Sequence, residues 1–161
     1  MASSQKNLST HSNANIGPVS DKKIAIIVSE WNSEITEALY AGALDTLIQK
    51  KIKRENIIKK LVPGSFELSL GAQWMASLDD IDAVICLGCV IQGDTKHFDF
   101  ICEAVAHGLT NVSLKFNKPV IFGVLTPNTH QQALDRAGGK HGNKGVEAAI
   151  TAIKMLGFNN N

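Results

Sequence analysis

The segment 83–102, AVICLGCVIQGDTKHFDFIC, carries the groups best suited to moving a proton or seating an anion. Gly88 and Gly93 bracket a turn, Asp94 and Thr95 are residue types that cap helices, and His97 falls in the first turn of the apolar-periodic stretch that follows. Unpaired N–H groups and the positive end of a helix dipole attract an anion and disfavour protonation of a nearby imidazole. A neutral, accessible histidine in that setting suits proton transfer near pH 7. A surface histidine on a capped helix fits the same residues, so the segment alone leaves both readings open.

Cys86 and Cys89 form a C-x-x-C, a spacing used by redox and zinc sites. Here Cys86 lies inside an apolar run with the length of a buried strand. Two cysteines three residues apart on a strand are separated by about 10 Å and face opposite sides, which no disulfide spans. Neither a second cysteine pair nor a ligand-spaced histidine pair supports zinc. The expectation is reduced, partly buried thiols and no metal.

Elements that could position these groups alternate along the chain. Residues 22–28 (KKIAIIV), 57–62, 83–87 and 120–125 (VIFGVL) read as strands. Ser33 can cap a helix to about residue 50, with Ile35, Leu39, Ala43 and Leu47 in one stripe. Ser65 can cap another that carries Phe66, Leu68, Leu70 and Trp74 and fades by Leu78. A third helix runs from His97 to about Phe116 with Ile101, Val105, Leu109 and Val112 in its stripe. A short helix holds Ala133, Leu134, Arg136 and Ala137, a glycine-rich link covers 138–145, and a last helix spans 146–156 with Gly157 as C-cap. This alternation predicts a three-layer α/β fold, a parallel four-stranded sheet with helices on both faces. Ligands of such sheets sit beyond the carboxyl ends of the strands, where the loops 29–32, 63–67, 88–97 and 126–130 would meet.

Those loops offer further candidates. Trp31 ends a strand in a polar loop, an unnatural place for a core aromatic, and could stack on a planar ligand. Phe66 in GSFE could stack likewise or belong to the core. Arg136 precedes a glycine-rich loop and could grip phosphate bidentately or remain a solvated helix charge. The GGKHGNKG loop is not a P-loop, because it joins two helices and lacks a Ser or Thr after Lys144.

Composition narrows the class. The 161 residues suit one domain, residues 20–161, preceded by a Ser- and Asn-rich flexible arm over residues 1–19. Sixteen Lys plus Arg nearly cancel 15 Asp plus Glu, so nothing argues for nucleic acid, and no apolar run has the roughly 18 residues of a membrane span. The arm has neither the apolar core of a signal peptide nor the arginines of a transit peptide, which makes the cytoplasm the default expectation.

Taken together, SEWN (29–32), PGSFE (63–67), GCVIQGDTKHFDFI (88–101), VIFGVLT (120–126) and RAGGKHGNKG (136–145) resemble the lumazine synthase family, in the family's order, over residues 22–157. The resemblance implies a flavodoxin-like three-layer fold and the penultimate step of riboflavin synthesis. In that step 5-amino-6-(ribitylamino)uracil condenses with 3,4-dihydroxy-2-butanone 4-phosphate, and no metal or redox cofactor is needed. It places Trp31 on the pyrimidine, Ser65, Phe66, Glu67, Cys89, Val90 and Ile91 around the ring and ribityl chain, and Asp94 and Thr95 at the phosphate. His97 takes the proton-transfer position. Phe122 and Arg136 match positions contributed by a neighbouring subunit, Arg136 on the phosphate and Lys144 near it. Two departures stand out: Gln92 replaces a frequent Arg, and Asp94 puts a carboxylate beside the phosphate. The resemblance also implies pentamers with shared active sites, and the uninterrupted link 136–146 favours their closure into a sixty-subunit icosahedral shell. Against a non-catalytic flavin binder of the same fold, residues 29–32 lack the Ser/Thr/Gly-rich loop of flavodoxins. Against a phospho-acceptor domain, the third strand ends in Leu87-Gly88 rather than an aspartate.

Overall fold

The computed structural model describes residues 19–158. The expected arm lies outside that range except for Val19, which is buried against the core. The described elements, in order, are β1 (Ile24–Ser29), α1 (Ser33–Gln49), β2 (Ile57–Val62), α2 (Leu68–Ala76), β3 (Ala83–Cys89), α3 (His97–Phe116), β4 (Val120–Leu125), α4 (His130–Arg136), β5 (Ala137–Gly139), β6 (Gly142–Asn143) and α5 (Lys144–Phe158), with a 3-10 turn at Arg54–Asn56. Strands β1 to β4 form one parallel sheet in the order β2-β1-β3-β4.

Apolar runs become strands here because both faces of the sheet are covered. Ile24, Ile26 and Val28 join Ala83, Ile85, Leu87 and Cys89 on one face, under α1 and α5. Ala25, Ile27, Val84 and Cys86 point the other way, under α2 and α3. The α1 stripe is realised as read: Ile35, Leu39, Ala43 and Leu47 are fully buried. Each large member contributes up to about 1.5–3 kcal/mol, an upper bound because unfolded chains already bury part of this surface. In α3, Val105, Leu109 and Val112 are buried and Ile101 packs beside them.

Several local expectations are corrected. Ser33 does not cap α1. The N-cap is Asn32 in the left-handed region (φ 58°), a conformation that Asn tolerates better than most residues. Its carbonyl accepts from Ile35 and Thr36, leaving its side chain for another task. Ser65 does not cap α2 either. That helix starts at Leu68, and the Ser65 backbone carbonyl, not its hydroxyl, accepts the Leu68 N–H at 3.2 Å. Of Phe66, Leu68, Leu70 and Trp74 only Leu68 is buried. Strand β3 extends two residues past Leu87, so Cys86 and Cys89 both lie on it, on opposite faces.

The glycine-rich link is an antiparallel β5–β6 hairpin rather than a plain loop. Gly138 and Gly142 adopt φ of 116° and 80°, which side chains would resist. The hairpin delivers Asn143 to the start of α5, where its Oδ1 accepts from Gly145 (2.8 Å) and Val146 (3.3 Å) while Nδ2 donates to the Ala38 carbonyl of α1 (3.0 Å). One side chain thus caps α5 and ties it to α1. Helix α5 therefore begins two residues before the expected Val146 and continues through Gly157, which is not a C-cap.

The close approach of α1 and α5 depends on Gly145, where an added Cβ would overlap the Leu39 carbonyl oxygen. Backbone cannot yield as a side chain can. Gly145→Ala should destabilise the protein by about 3 kcal/mol or more, the upper end of overpacking costs. Gly157→Ala, with open space around it, should be neutral or stabilise by up to about 1 kcal/mol. Urea unfolding of the two variants checks the contrast, which disappears if the helices can slide apart.

Candidate functional site

Parallel pairing places the carboxyl ends of all four strands on one edge, and backbone hydrogen bonds stitch their loops together there. Glu30 N–H donates to Val62 (2.9 Å) and Trp31 N–H to Pro63 (3.2 Å), tying the first loop to the second. The Asn32 side chain, free of capping duty, donates to the Cys89 carbonyl at 3.0 Å and ties the first loop to the third. Val90 N–H donates to Leu125 and Gln92 N–H to Pro127, both at 2.9 Å, tying the third to the fourth. Loop order along the edge follows strand order.

This stitching fixes the aromatic end. Trp31 is 73% exposed, with Gly64 beside it; a Cβ on Gly64 would stand 3.5 Å from the indole Cδ1. Phe66 is 56% exposed. Both aromatic residues are exposed, as expected of stacking residues and not of core aromatics. Glu67 closes its own turn by accepting the Gly64 N–H at 3.0 Å. The Ser65 hydroxyl is buried without a partner, and a Cβ at Gly88 would come within 2.5 Å of it, so only glycine at 88 lets the second loop approach the third this closely.

At the third loop, His97 is the first residue of α3 and is exposed, as are Asp94 and Thr95. The cap differs in detail from the expectation. Lys96 occupies the N-cap position, Asp94 makes no capping bond, and the Thr95 hydroxyl accepts the His97 N–H in a long 3.4 Å contact. The Asp99 N–H donates to the Lys96 carbonyl at 3.1 Å, so at the helix start the N–H groups of Lys96 and Phe98 are the ones left for an anion. Cys89 is buried and lends the site no exposed side chain, while Val90 and Ile91 are half-buried. Burial pushes the Cys86 thiol well above its ordinary range and that of Cys89 up to about 11, so both stay protonated and unreactive at neutral pH.

The cationic residues gather elsewhere. A cleft of ≈ 450 Å³ is lined by Thr126, Pro127, Gln132, Arg136, Lys140 and Lys144, among others. Arg136 ends α4 and its Nη1 donates to the His141 carbonyl of the hairpin at 2.6 Å. Its Nη2 stands 2.6 Å from Glu147 Oε1, and Lys144 Nζ lies 3.4 Å from the other carboxylate oxygen. Glu147 was not anticipated, although its position three residues after Lys144 on one helix face was a readable signal. His130 pairs with Glu34 at 3.3 Å in a cleft of ≈ 690 Å³ that also holds Trp31 and Pro63.

Within one chain the expected site residues therefore do not share a cleft. Trp31 belongs to the cleft around Pro63 and His130, Arg136 and Lys144 to the cationic one, and Phe122 to a groove of ≈ 290 Å³ between β4 and α3.

The sequence comparisons agree with this architecture. The family model described as 6,7-dimethyl-8-ribityllumazine synthase matches residues 21–160. The chain is 64% identical to the 6,7-dimethyl-8-ribityllumazine synthase of Cytophaga hutchinsonii over 97% of its own length and 98% of that protein. It is 51% identical to the enzyme of the same name from Parabacteroides distasonis (98% and 99% covered) and 53% identical to that of Flavobacterium johnsoniae (96% and 82% covered). With nearly the whole chain matched, from before β1 to beyond α5, it belongs to the 6,7-dimethyl-8-ribityllumazine synthase family.

Proposed function

We propose that this chain condenses 5-amino-6-(D-ribitylamino)uracil with 3,4-dihydroxy-2-butanone 4-phosphate to 6,7-dimethyl-8-ribityllumazine, releasing phosphate and water, as a transferase of riboflavin biosynthesis. The full-length family match carries this reading. Imine formation, phosphate elimination and ring closure need proton shuffling, an anion seat and close positioning of two substrates, more than a strong nucleophile.

In this reading the pyrimidine stacks on Trp31, beside Phe66. The loop residues Ser65 and Glu67, with Cys89, Val90 and Ile91, hold the ring edge and ribityl chain mainly through backbone groups. His97 moves protons at the condensing atoms, and the 93–95 turn, with Asp94 and Thr95, receives the phosphate through N–H groups at the start of α3. The exposure of Trp31, Phe66 and His97 on one sheet edge supports this assignment. Arg136 adds a planar guanidinium to the phosphate, with Lys144 nearby and Phe122 walling the ring. Because these three lie apart from Trp31 within a chain, we assign them to the site of a neighbouring subunit.

Such sharing requires an oligomer, which we take to be a pentamer that closes further into a sixty-subunit shell. Exposed apolar side chains on and around two helices, Phe66, Leu70, Trp74 and Leu78 near α2 and Phe100 and Leu114 on α3, are what a subunit interface would cover. The hairpin between α4 and α5 is short and presents no insertion that would obstruct closure. No helix among the described residues is long and apolar enough to cross a membrane.

Turnover with both substrates tests the reaction and separates an enzyme from a flavin binder or a passive shell. His97→Ala should lower kcat by about 10- to 1000-fold with folding intact, the range for a positioned acid–base group partly replaced by substrate amines. Unchanged turnover would remove His97 from the chemistry. Arg136→Ala should raise KM for the butanone phosphate far more than for the pyrimidine; equal weakening of both would point to a general structural defect. Sedimentation at micromolar protein checks assembly. A shell is expected, a discrete pentamer would exclude closure, and a monomer would undermine the shared site.

A further inference from the structure

We infer that the side chain of His141 is a further phosphate ligand, meeting the substrate phosphate as an imidazolium beside Arg136. The inference rests on the phosphate-binding reading of Arg136 given above and adds to it one residue and one proton.

The first observation is placement. Lys140 and His141 form the turn between β5 and β6. Turns ordinarily stand out in water, as Lys140 does, but His141 is half-buried and lines the cationic cleft. Its backbone is held from two sides. The N–H donates to the Asp135 carbonyl at 2.9 Å, and the carbonyl accepts from Arg136 Nη1 at 2.6 Å. The contact that anchors the guanidinium therefore also fixes the backbone of His141 beside it.

The second observation is unused hydrogen-bonding capacity. Among the described residues the imidazole has no hydrogen-bond or ion-pair partner, since both bonds of His141 are made by its backbone. A half-buried ring carrying polar nitrogens without partners is a cost that a ligand from outside the chain can remove.

The third observation is charge. The ring is faced by Asp135 and Arg136 of α4, by Lys140 of the turn, and by Lys144 and the nearby Glu147 of α5. Residues 124–127 of β4 and the fourth loop bring no charged group to the cleft. Its carboxylates are already engaged. The Gln131 hydrogen bond (3.1 Å), and after it Lys140 (3.2 Å), hold the Asp135 carboxyl below the usual carboxylate range. Glu147 is taken by Arg136 and Lys144. The cleft keeps an excess of cations with no free anion among the described residues to meet it, and a phosphate suits it in charge and in acceptors.

A phosphate set between the guanidinium and the ring favours the protonated imidazole, because opposite charges in contact stabilise each other. The ring then donates a charge-assisted bond, roughly twice as strong as the neutral one. Its contribution is greatest where the ring is protonated, and fades as pH rises through the range in which histidines titrate.

The test measures His141→Ala and His141→Gln beside Arg136→Ala in the assembled enzyme, with inorganic phosphate as the probe. His141→Ala should raise the inhibition constant of inorganic phosphate, and KM for the butanone phosphate, by about 3- to 30-fold, with KM for the pyrimidine unchanged. The backbone contact to Arg136 survives that change. Because variant and parent meet the same phosphate species at each pH, the ratio of their inhibition constants isolates the ring. That ratio should be larger at about pH 6 than at about pH 8. His141→Gln keeps an N–H donor but cannot take up a proton, so it should restore binding at the higher pH and not at the lower. An unchanged inhibition constant in His141→Ala, or a ratio flat with pH, overturns the proposal. Equal weakening of both substrates with a lower Tm does so too, since it marks a damaged hairpin. If Arg136→Ala itself leaves phosphate binding intact, the phosphate-binding reading fails as well; if only His141→Ala is silent, the role of the ring alone is lost.

Discussion

Everything on the reactive edge depends on β1 being paired in parallel on both sides, to β2 and to β3, while buried on both faces. Parallel pairing turns four strand ends the same way, and complete burial pins the register, because a slip by one residue would send Ile24, Ile26 and Val28 to the wrong helices. With the register fixed, Glu30, Trp31 and Asn32 emerge level with Val62, Pro63 and Cys89, and the hydrogen bonds between them follow. The loops are not arranged by their own preferences. They inherit their positions from the sheet.

That inheritance explains what could be read in the sequence. Strands showed as β-branched runs and helices as stripes at spacing of four, since these patterns record burial, and burial is what the fold rewards. The helix ending at Phe116 closes where its residues suggested, but it starts at His97 behind Lys96, just past the Asp94 and Thr95 cap expected of it. Capping was less legible. Ser33 and Ser65 are good cap residues by type, yet the chain used the left-handed Asn32, whose side chain reaches the Cys89 carbonyl of β3, and the backbone carbonyl of Ser65. The hairpin at 137–143 was hidden for a related reason: two short strands of glycine, lysine, histidine and asparagine carry no hydrophobic alternation to betray them.

For the candidate site, residue type told more than position. Trp31 looked wrong for a core and is in fact exposed, and Cys86 and Cys89 looked wrong for a redox pair and are buried back to back across the sheet. Charge networks were opaque. Lys144 and Glu147 are a local pair on α5, but Arg136 meets Glu147 only because the hairpin folds α5 back toward α4, a relation that no local pattern encodes.

The union of α1 with α5 also bears on how the chain is made. The half of the core beneath α2 and α3 uses no residue beyond Val124, so it can be completed while the polypeptide is still growing. The half beneath α1 needs Ala148, Ala149, Ala152, Ile153 and Leu156, which are made after every residue of the other half. Until then the underside of the sheet and the apolar stripe of α1 stay open to water, and the Asn143 tether to Ala38 spans 105 positions of chain. Such late, long-range closure is slow and leaves a window for unwanted association. The carboxyl-terminal helix is thus the final latch, and any truncation that removes it strands a half-covered sheet rather than a smaller protein.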